Sequence, residues 1–247
     1  GINDAADVTI ADGKKLVLIG EKDNASFNLV ESSSTPTVRG GATLELGTLG
    51  LADGADYKGT LAAVNLGETN ETGKLNVVNG NYTVNEVIAR NQGSEVTVGT
   101  AGTLNATTIV ANTGANITNA GVLAVSGNVE TTGNGSVLNT ANMTVNGTMT
   151  AIGTVNNSDQ LTVGNGLNVT GGLINTGTLN VTGDTNLIGG TNTFTNSGQA
   201  SLKGDLTIAG ILRNNAGAFL ETNKMSVTGR VNNYGNIEAS DTSEVYG

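Results

Sequence analysis

The feature that most constrains this chain is a short phrase that recurs at a nearly constant interval. Residues 206–214 (LTIAGILRN) match residues 225–233 (MSVTGRVNN) position by position, so that Leu206 corresponds to Met225 and Asn214 to Asn233. Apolar and polar residues alternate within each copy, and this is the side-chain period of a half-buried β-strand. A glycine interrupts the alternation where the backbone must bend. The phrase therefore predicts short strands separated by corners.

Further copies of the phrase follow one another from about residue 41. Their first apolar residues are Leu44, Leu75, Val96, Leu104, Leu123, Met143, Leu161, Leu167, Leu179 and Leu187. Several successive intervals are nearly equal, and the longer interval from Met143 to Leu167 suggests an insertion. A repeat of roughly 19–21 residues that holds two or three short strands is typical of one turn of a parallel β-solenoid. A β-sandwich or barrel shares the alternation, but the constant interval favours the solenoid.

The chain is less regular near its beginning. We expect residues 1–40 to form an irregular N-terminal segment, which is either a cap over the first core layer or a pair of divergent first turns. Residues 41–247 are expected to form a single continuous repeat array. The last residues read as part of a turn, so we expect the array to be truncated at its C-terminal end.

A second signal marks one corner of successive repeats. Asn-x-Gly or a close variant of it recurs once in each of these repeats, and Asn and Gly tolerate the left-handed backbone that a sharp corner requires. The asparagines are Asn175, Asn196, Asn214 and Asn233. Two roles are open: a hydrogen-bonded amide ladder that stabilises the rod, or an exposed polar stripe that binds the same stripe on another molecule.

The composition narrows the classes of function. The chain has 37 Gly, one Pro, no Cys and no His, and its net charge is −10. Acidic proteins repel phosphate backbones, so we expect no nucleic-acid partner. No apolar run approaches the length of a membrane-spanning helix, so we expect no membrane insertion of this segment. The absence of both Cys and His excludes zinc sites of the usual kind, His-based triads and thiolate nucleophiles.

Acidic residues are the remaining candidates for chemistry, since β-helical enzymes that degrade polysaccharides use converging carboxylates. Three groups are close in sequence: Asp4, Asp7 and Asp12; Glu68 and Glu71; and Glu238, Asp241 and Glu244. None recurs at the turn interval that would stack acids on one face, and we interpret them as solvated surface groups. The Gly-Gly-x-Gly-x-Asp repeats of calcium-binding solenoids are missing too. We therefore predict neither an enzyme nor a cofactor.

The longest copies of the phrase resemble the repeats of known protein families. Residues 175–183 (NTGTLNVTG) and 119–127 (NAGVLAVSG) are similar to repeats of autotransporter passenger domains and of filamentous haemagglutinin-like exoproteins of two-partner secretion. The resemblance covers about residues 41–240.

The resemblance implies a right-handed parallel β-helix that is secreted by, or displayed on, a Gram-negative bacterium. It also implies a passenger fragment that acts in cell adhesion, aggregation or biofilm growth through the side of the rod. The expected partners are copies of itself or host and matrix glycoconjugates. The alternatives are a polysaccharide-degrading β-helix enzyme and an inert stalk that presents a functional domain missing from this chain.

Overall fold

The computed structural model describes residues 10, 12–20, 28–29 and 36–246. These residues form 27 parallel strands of one continuous sheet and a single 3-10 turn, Gly54–Asp56. The chain coils into a parallel β-solenoid of about nine turns, so the all-β solenoid prediction is confirmed. Within the described residues, no helix has the length and apolarity needed to cross a membrane.

The strands in chain order begin with β1 (Lys15–Leu18), β2 (Asn28–Leu29), β3 (Thr37–Val38), β4 (Ala42–Leu46), β5 (Lys58–Leu66), β6 (Gly73–Arg90), β7 (Glu95–Ala106), β8 (Thr108–Asn112) and β9 (Asn116–Asn119). They continue with β10 (Val122–Val125), β11 (Val129–Thr131), β12 (Val137–Asn139), β13 (Asn142–Val145), β14 (Met149–Ala151), β15 (Thr154–Asn157), β16 (Gln160–Val163), β17 (Leu167–Val169) and β18 (Gly172–Asn175). The last are β19 (Thr178–Val181), β20 (Thr185–Asn196), β21 (Gln199–Leu202), β22 (Leu206–Asn214), β23 (Phe219–Thr222), β24 (Met225–Val227), β25 (Arg230–Asn233), β26 (Asn236–Ala239) and β27 (Glu244–Val245).

Each regular turn has three faces, which we call A, B and C in chain order. In one central turn they are β15, β16 and β17, and each of these pairs with the equivalent strand one turn before and one turn after it. Face A therefore contains β9, β12, β15 and β18, face B contains β10, β13, β16 and β19, and face C contains β8, β11, β14 and β17. The long strands β6, β7, β20 and β22 run through corners and contribute to more than one face.

The pairing register measures the length of each turn. On face A, Val96 lies beside Ile117, Ile117 beside Val137, and Val137 beside Val155, so the turns become shorter along this part of the chain. The first turns are longer, since Lys15 lies beside Thr43 and Thr43 lies beside Lys74. The expected period of roughly 19–21 residues thus holds for part of the array, while the first turns exceed it and some central turns fall short of it.

The insertion expected between Met143 and Leu167 is not present. Met143 pairs with Leu161 on face B, and Met149 pairs with Leu167 on face C, so Met143 and Leu167 belong to two different faces. The interval between them is long because it includes the path from one face to the next. The irregularity lies later, in β20, where the register shifts between Leu187 and Asn192.

The core is a set of columns of inward side chains, because alternate residues of every strand point into the rod. Along face B, one column is fully buried over successive turns: Leu104, Leu123, Met143, Leu161 and Leu179. Burying a side chain of this size contributes about 1.5–3 kcal/mol. Because each inward side chain is covered by those of the turns before and after it, the core forms only when several turns are stacked.

The described residues before residue 40 belong to the same sheet. β1 pairs with β4, and both β2 and β3 pair with β5, all in the parallel direction. The buried Tyr82 hydroxyl donates a hydrogen bond to the backbone carbonyl of Ile19 and so ties the first turn to β6. The domain boundary after residue 40, the C-terminal truncation and the right-handed winding stay predictions.

Candidate functional site

A column of asparagine side chains runs inside the rod at the corner between faces A and B. In each regular turn the last inward residue of the face A strand is an asparagine. Its Nδ2 donates to the Oδ1 of the asparagine one turn later, over distances of 2.7–2.9 Å. The members of this asparagine ladder are Asn119, Asn139, Asn157, Asn175, Asn196, Asn214 and Asn233.

Each interior amide of the ladder also satisfies the backbone of the corner. Asn175 Nδ2 lies 2.8 Å from Asn196 Oδ1, 3.0 Å from the carbonyl oxygen of Gln199 and 3.2 Å from that of Gly177. Its Oδ1 accepts from Asn157 Nδ2 at 2.8 Å. A buried backbone carbonyl without a partner costs free energy, so a side-chain donor at the point where the strand ladder breaks stabilises the corner.

The four asparagines singled out from the sequence are brought together in this one ladder. Asn175, Asn196 and Asn214 have no exposed surface, whereas Asn233 in the last turns is exposed. A side chain with no exposed surface cannot touch a second molecule. The exposed-stripe interpretation therefore does not fit the first three, and their contacts are those of a structural amide ladder.

Sequence reasoning missed three members of the ladder, Asn119, Asn139 and Asn157. The last two are not followed by the Asn-x-Gly corner, whereas Asn119 carries that signal and was not assigned to the column. A better signal was available. Each of the three stands at the same short distance before the first buried apolar residue of the next face B strand, as Asn175 does before Leu179.

The outside of the central turns is almost free of charge. Between residues 96 and 183 the only ionisable carboxylates or cations are Glu130 and Asp159. The central outward column of face B is made of small residues that are half-buried: Asn105, Ala124, Thr144, Thr162 and Asn180. Most of the net charge lies before this region, since residues 1–95 carry 13 acidic and 7 basic residues, whereas residues 184–247 carry 6 acidic and 4 basic ones. The middle presents mainly amides, hydroxyls and methyl groups.

Face A and the corner that leads into it carry most of the exposed aliphatic side chains of the central turns, and Val122 of face B is the exception. Leu138, Ile174 and Ile211 point outward from face A strands and are 36–38% exposed. Ile152 and Ile188 lie just beyond face C strands, at the corner that leads into face A, and are 40% and 58% exposed. The sequence reading missed this feature because it followed the inward residues only.

The acidic groups considered as catalytic candidates do not form a catalytic constellation in the described residues. Glu68 and Glu71 both form ion pairs with Arg39: Glu68 Oε2 lies 3.1 Å from Arg39 Nη1, and Glu71 Oε2 lies 3.9 Å from Arg39 Nε. Asp4 and Asp7 lie outside the described residues. Within the described ranges, no group of three or more Asp, Glu, His or Cys side chains is arranged to hold a metal ion.

The acids near the C-terminus are occupied by local partners. Glu238 accepts from Asn236 Nδ2 at 2.9 Å, and Glu244 accepts from the Tyr246 hydroxyl at 2.6 Å. That hydrogen bond to a carboxylate raises the pKa of Tyr246. Such pairings between neighbours in sequence are those of surface side chains.

A shallow depression on the outside of the C-terminal turns contains a perturbed carboxylate. Glu221 accepts hydrogen bonds from Lys203 Nζ and from Ser201 Oγ, and these lower the pKa of Glu221. Lys203 and Glu221 line the depression together with Leu202, Thr222, Asn223 and Ser240. The acid is held ionised by an exposed cation, which is the electrostatics of a surface ion pair rather than of a general acid.

Comparison of the chain with protein-family models, with curated proteins and with solved structures gives no significant match. The resemblance to autotransporter passengers and haemagglutinin-like exoproteins thus rests on the repeat phrase alone and is not confirmed, while the structure shows a parallel β-solenoid of about nine turns.

Proposed function

We propose that this chain is an adhesive rod, a segment of a secreted or surface-displayed bacterial adhesin that binds through its side. Its first partner is another copy of itself, and host or matrix glycoconjugates are the second. The observation that carries the proposal is the scarcity of charge on the central turns, where Glu130 and Asp159 are the only acidic or basic residues between residues 96 and 183.

Charge distribution explains why the middle of the rod is the part suited to contact. Two copies that each carry a net charge of −10 repel one another, most strongly where their residues 1–95, with a net charge of −6, approach. Contact through uncharged hydroxyl, amide and methyl groups avoids that repulsion and the cost of desolvating ions. Individually weak contacts of this kind become effective when many rods are held on one surface, because the second contact forms at high effective concentration.

Bead clustering tests the adhesive function directly. The chain is coupled through one end to fluorescent microspheres, and clustering is followed by light scattering and microscopy against microspheres that carry albumin at the same density. We expect chain-coated beads to cluster with one another. Beads that stay dispersed, and that also fail to bind matrix- or glycan-coated beads, would contradict adhesion and favour the inert stalk.

The enzymatic alternative has its own measurement. The chain is incubated with acidic and neutral polysaccharides, and new reducing ends and the absorbance of unsaturated products are followed. We expect no product above the level of buffer alone. Product formation that increases with chain concentration would replace the adhesive proposal by a polysaccharide-degrading activity.

A further inference from the structure

The outward side chains in the middle of face A form a column whose chemical types are symmetric about its central residue. Thr118, Leu138, Asn156, Ile174 and Thr195 lie beside one another in five successive turns. Their chemistry is hydroxyl, aliphatic, amide, aliphatic and hydroxyl, with Asn156 at the centre. Each lies between inward residues of its strand, so all five point away from the core.

A column with this symmetry is what a two-fold interface between identical chains requires. In such an interface residue i of one copy contacts residue j of the other, and j of the first contacts i of the second. When two rods lie antiparallel with face A against face A and the axis at Asn156, Leu138 meets Ile174 of the second copy. Thr118 then meets Thr195, and the two Asn156 amides meet each other and can exchange hydrogen bonds.

We propose that face A from Thr118 to Thr195 is the self-association surface of this protein, and that its occupant is a second, antiparallel copy of the chain. This inference rests on the proposed adhesive function and names the face and the geometry through which it acts.

Exposed aliphatic side chains distinguish face A from the other two faces, and the absence of charge distinguishes it from face C, which carries Glu130. Among the described residues from 96 to 211, the exposed large aliphatic side chains other than Val122 all lie on face A or on the corner leading into it. No outward residue of face A is charged between Asn116 and Thr195, and Glu95 and Arg213 bracket that stretch. Exposed aliphatic side chains gain from burial against a second copy, and no ion must be desolvated.

The size of the surface predicts a weak contact. Five strands spaced by about 4.8 Å, each presenting four residues at about 3.3 Å per residue, cover roughly 300 Å² per copy. Stable interfaces bury about 800 Å² per partner. A single pair of rods should therefore dissociate readily, while rods crowded on two facing surfaces are held together by many such contacts.

Cross-linking through one introduced thiol tests which face is in contact. The chain has no cysteine, so Asn156→Cys creates a single thiol on the two-fold axis. Sheets packed face to face lie about 10 Å apart, which suits a short bismaleimide better than a disulfide. We expect covalent dimers on a denaturing gel. Thr162→Cys, half-buried on face B of the same turn, is the matched control and should stay monomeric.

A mixing experiment tests the antiparallel direction. Thr118→Cys and Thr195→Cys each place a thiol two turns from the axis, so identical thiols in an antiparallel pair are about 19 Å apart along the rod and out of reach of the linker. Each variant alone should give little dimer, and an equimolar mixture should give at least a five-fold increase. Equal cross-linking of either variant alone would mean a parallel pair and would overturn the geometry.

Sedimentation velocity separates failure of this inference from failure of the proposed function. Leu138→Lys combined with Ile174→Lys should abolish any concentration-dependent dimer of the unmodified chain while leaving the far-ultraviolet spectrum unchanged. If the unmodified chain associates and clusters beads but the double variant does so equally, face A is the wrong surface and the adhesive function stands. If the unmodified chain neither associates nor clusters beads, homotypic adhesion itself is wrong.

Discussion

At the scale of single residues, the corner asparagines supply hydrogen bonds that the backbone of the corner cannot make for itself. In Asn175, Nδ2 donates both along the rod, to Asn196 Oδ1, and to the corner carbonyls, while Oδ1 accepts from Asn157 Nδ2 one turn before. An aspartate has the same shape but no donor, and it would bring a charge into the buried column. The identity of the residue is therefore set by its hydrogen-bonding groups.

Removing one amide from the middle of the ladder should be costly. Asn175→Ala leaves Asn157 Nδ2, Asn196 Oδ1 and the Gln199 carbonyl short of a partner, and an unsatisfied buried group costs about 1–3 kcal/mol. We expect a loss of about 3 kcal/mol in the free energy of unfolding, measured by urea denaturation with circular dichroism. Asn180→Ala, half-buried on the outside of β19, is the control and should change stability by less than about 0.5 kcal/mol.

One buried hydroxyl, that of Thr185, should lower the stability of the fold, in contrast to the hydrogen-bonded amides of the ladder. Thr185 stands in the core between Leu167 and Leu206, and its Oγ1 has no hydrogen-bond partner within the described part of the chain. Thr185→Val keeps the shape and removes the unpaired group, so we expect a gain of about 1 kcal/mol in thermal or urea denaturation.

A second threonine gives the matched control. Thr222 is also buried, but its hydroxyl donates to the Gly204 carbonyl at 3.1 Å and also lies 3.3 Å from the Lys224 carbonyl. Thr222→Val should therefore destabilise the rod. Equal effects of the two substitutions, in either direction, would contradict this assignment.

Tyr82 makes the stability of the first turns depend on alkaline pH. Burial raises the pKa of Tyr82 to about 12, above the value near 10 of an exposed tyrosine. The folded state holds this proton more tightly, so the contribution is fully present below pH 10 and is lost as pH rises from about 10 to about 12. Denaturation midpoints between pH 8 and 11 should fall less steeply for Tyr82→Phe than for the unmodified chain. Tyr234→Phe, at a residue that is 70% exposed, should leave the slope unchanged.

At the scale of elements, the corners between faces decide how closely successive turns approach. The corner from face C to face A carries glycines in consecutive turns, and a Cβ on Gly229 would lie 1.9 Å from the carbonyl oxygen of Gly210. Glycine is needed there because a side chain would collide with the backbone of the preceding turn. Where the corner loses this close stacking, as in the bulge of β20, the register shifts and an isoleucine, Ile188, is exposed.

A glycine pair separates the effect of space from that of flexibility. Gly229→Ala should destabilise by about 1–3 kcal/mol, because the backbone of two turns must move apart. Gly166→Ala places its Cβ 3.5 Å from the Asp184 carbonyl oxygen, an ordinary contact, and should be neutral or slightly stabilising. The check is the urea midpoint of both variants, and similar losses for both would show that close approach is not the cause.

At the scale of the whole molecule, the distribution of charge along the rod determines how association of two chains should respond to salt. Each chain carries a net charge of −10, so two chains repel one another as whole molecules, and the centre has no basic residue that could form an ion pair across the contact. Association through the centre should therefore respond to salt in the opposite sense from an interface built on ion pairs.

We expect the association constant from sedimentation velocity to rise as salt is increased from about 0.01 M to 0.15 M, because the screening length falls from about 30 Å to about 8 Å and the mutual repulsion is screened. Weakening of the dimer over the same range would indicate an interface held by ion pairs and would contradict contact through the uncharged centre.

The amino-acid sequence by itself determined the class of fold and the approximate period of the array. Alternation of Leu and Val with Asn and Thr specifies half-buried strands, and repetition at a nearly constant interval leaves stacked parallel turns as the way to pair every strand. It also placed Asn175, Asn196, Asn214 and Asn233 in equivalent positions, because equal spacing in a solenoid means stacking in space.

Only the tertiary structure decided which repeats belong to which face. The phrase occurs on both face B and face C of one turn, so Met143 and Leu167 resemble successive copies although they lie on different faces. The same ambiguity hid the burial of the asparagines, since a corner residue points inward or outward according to the path of the chain. The row from Thr118 to Thr195 exists only in space, because its members lie a full turn apart in the sequence and turns of unequal length bring them side by side.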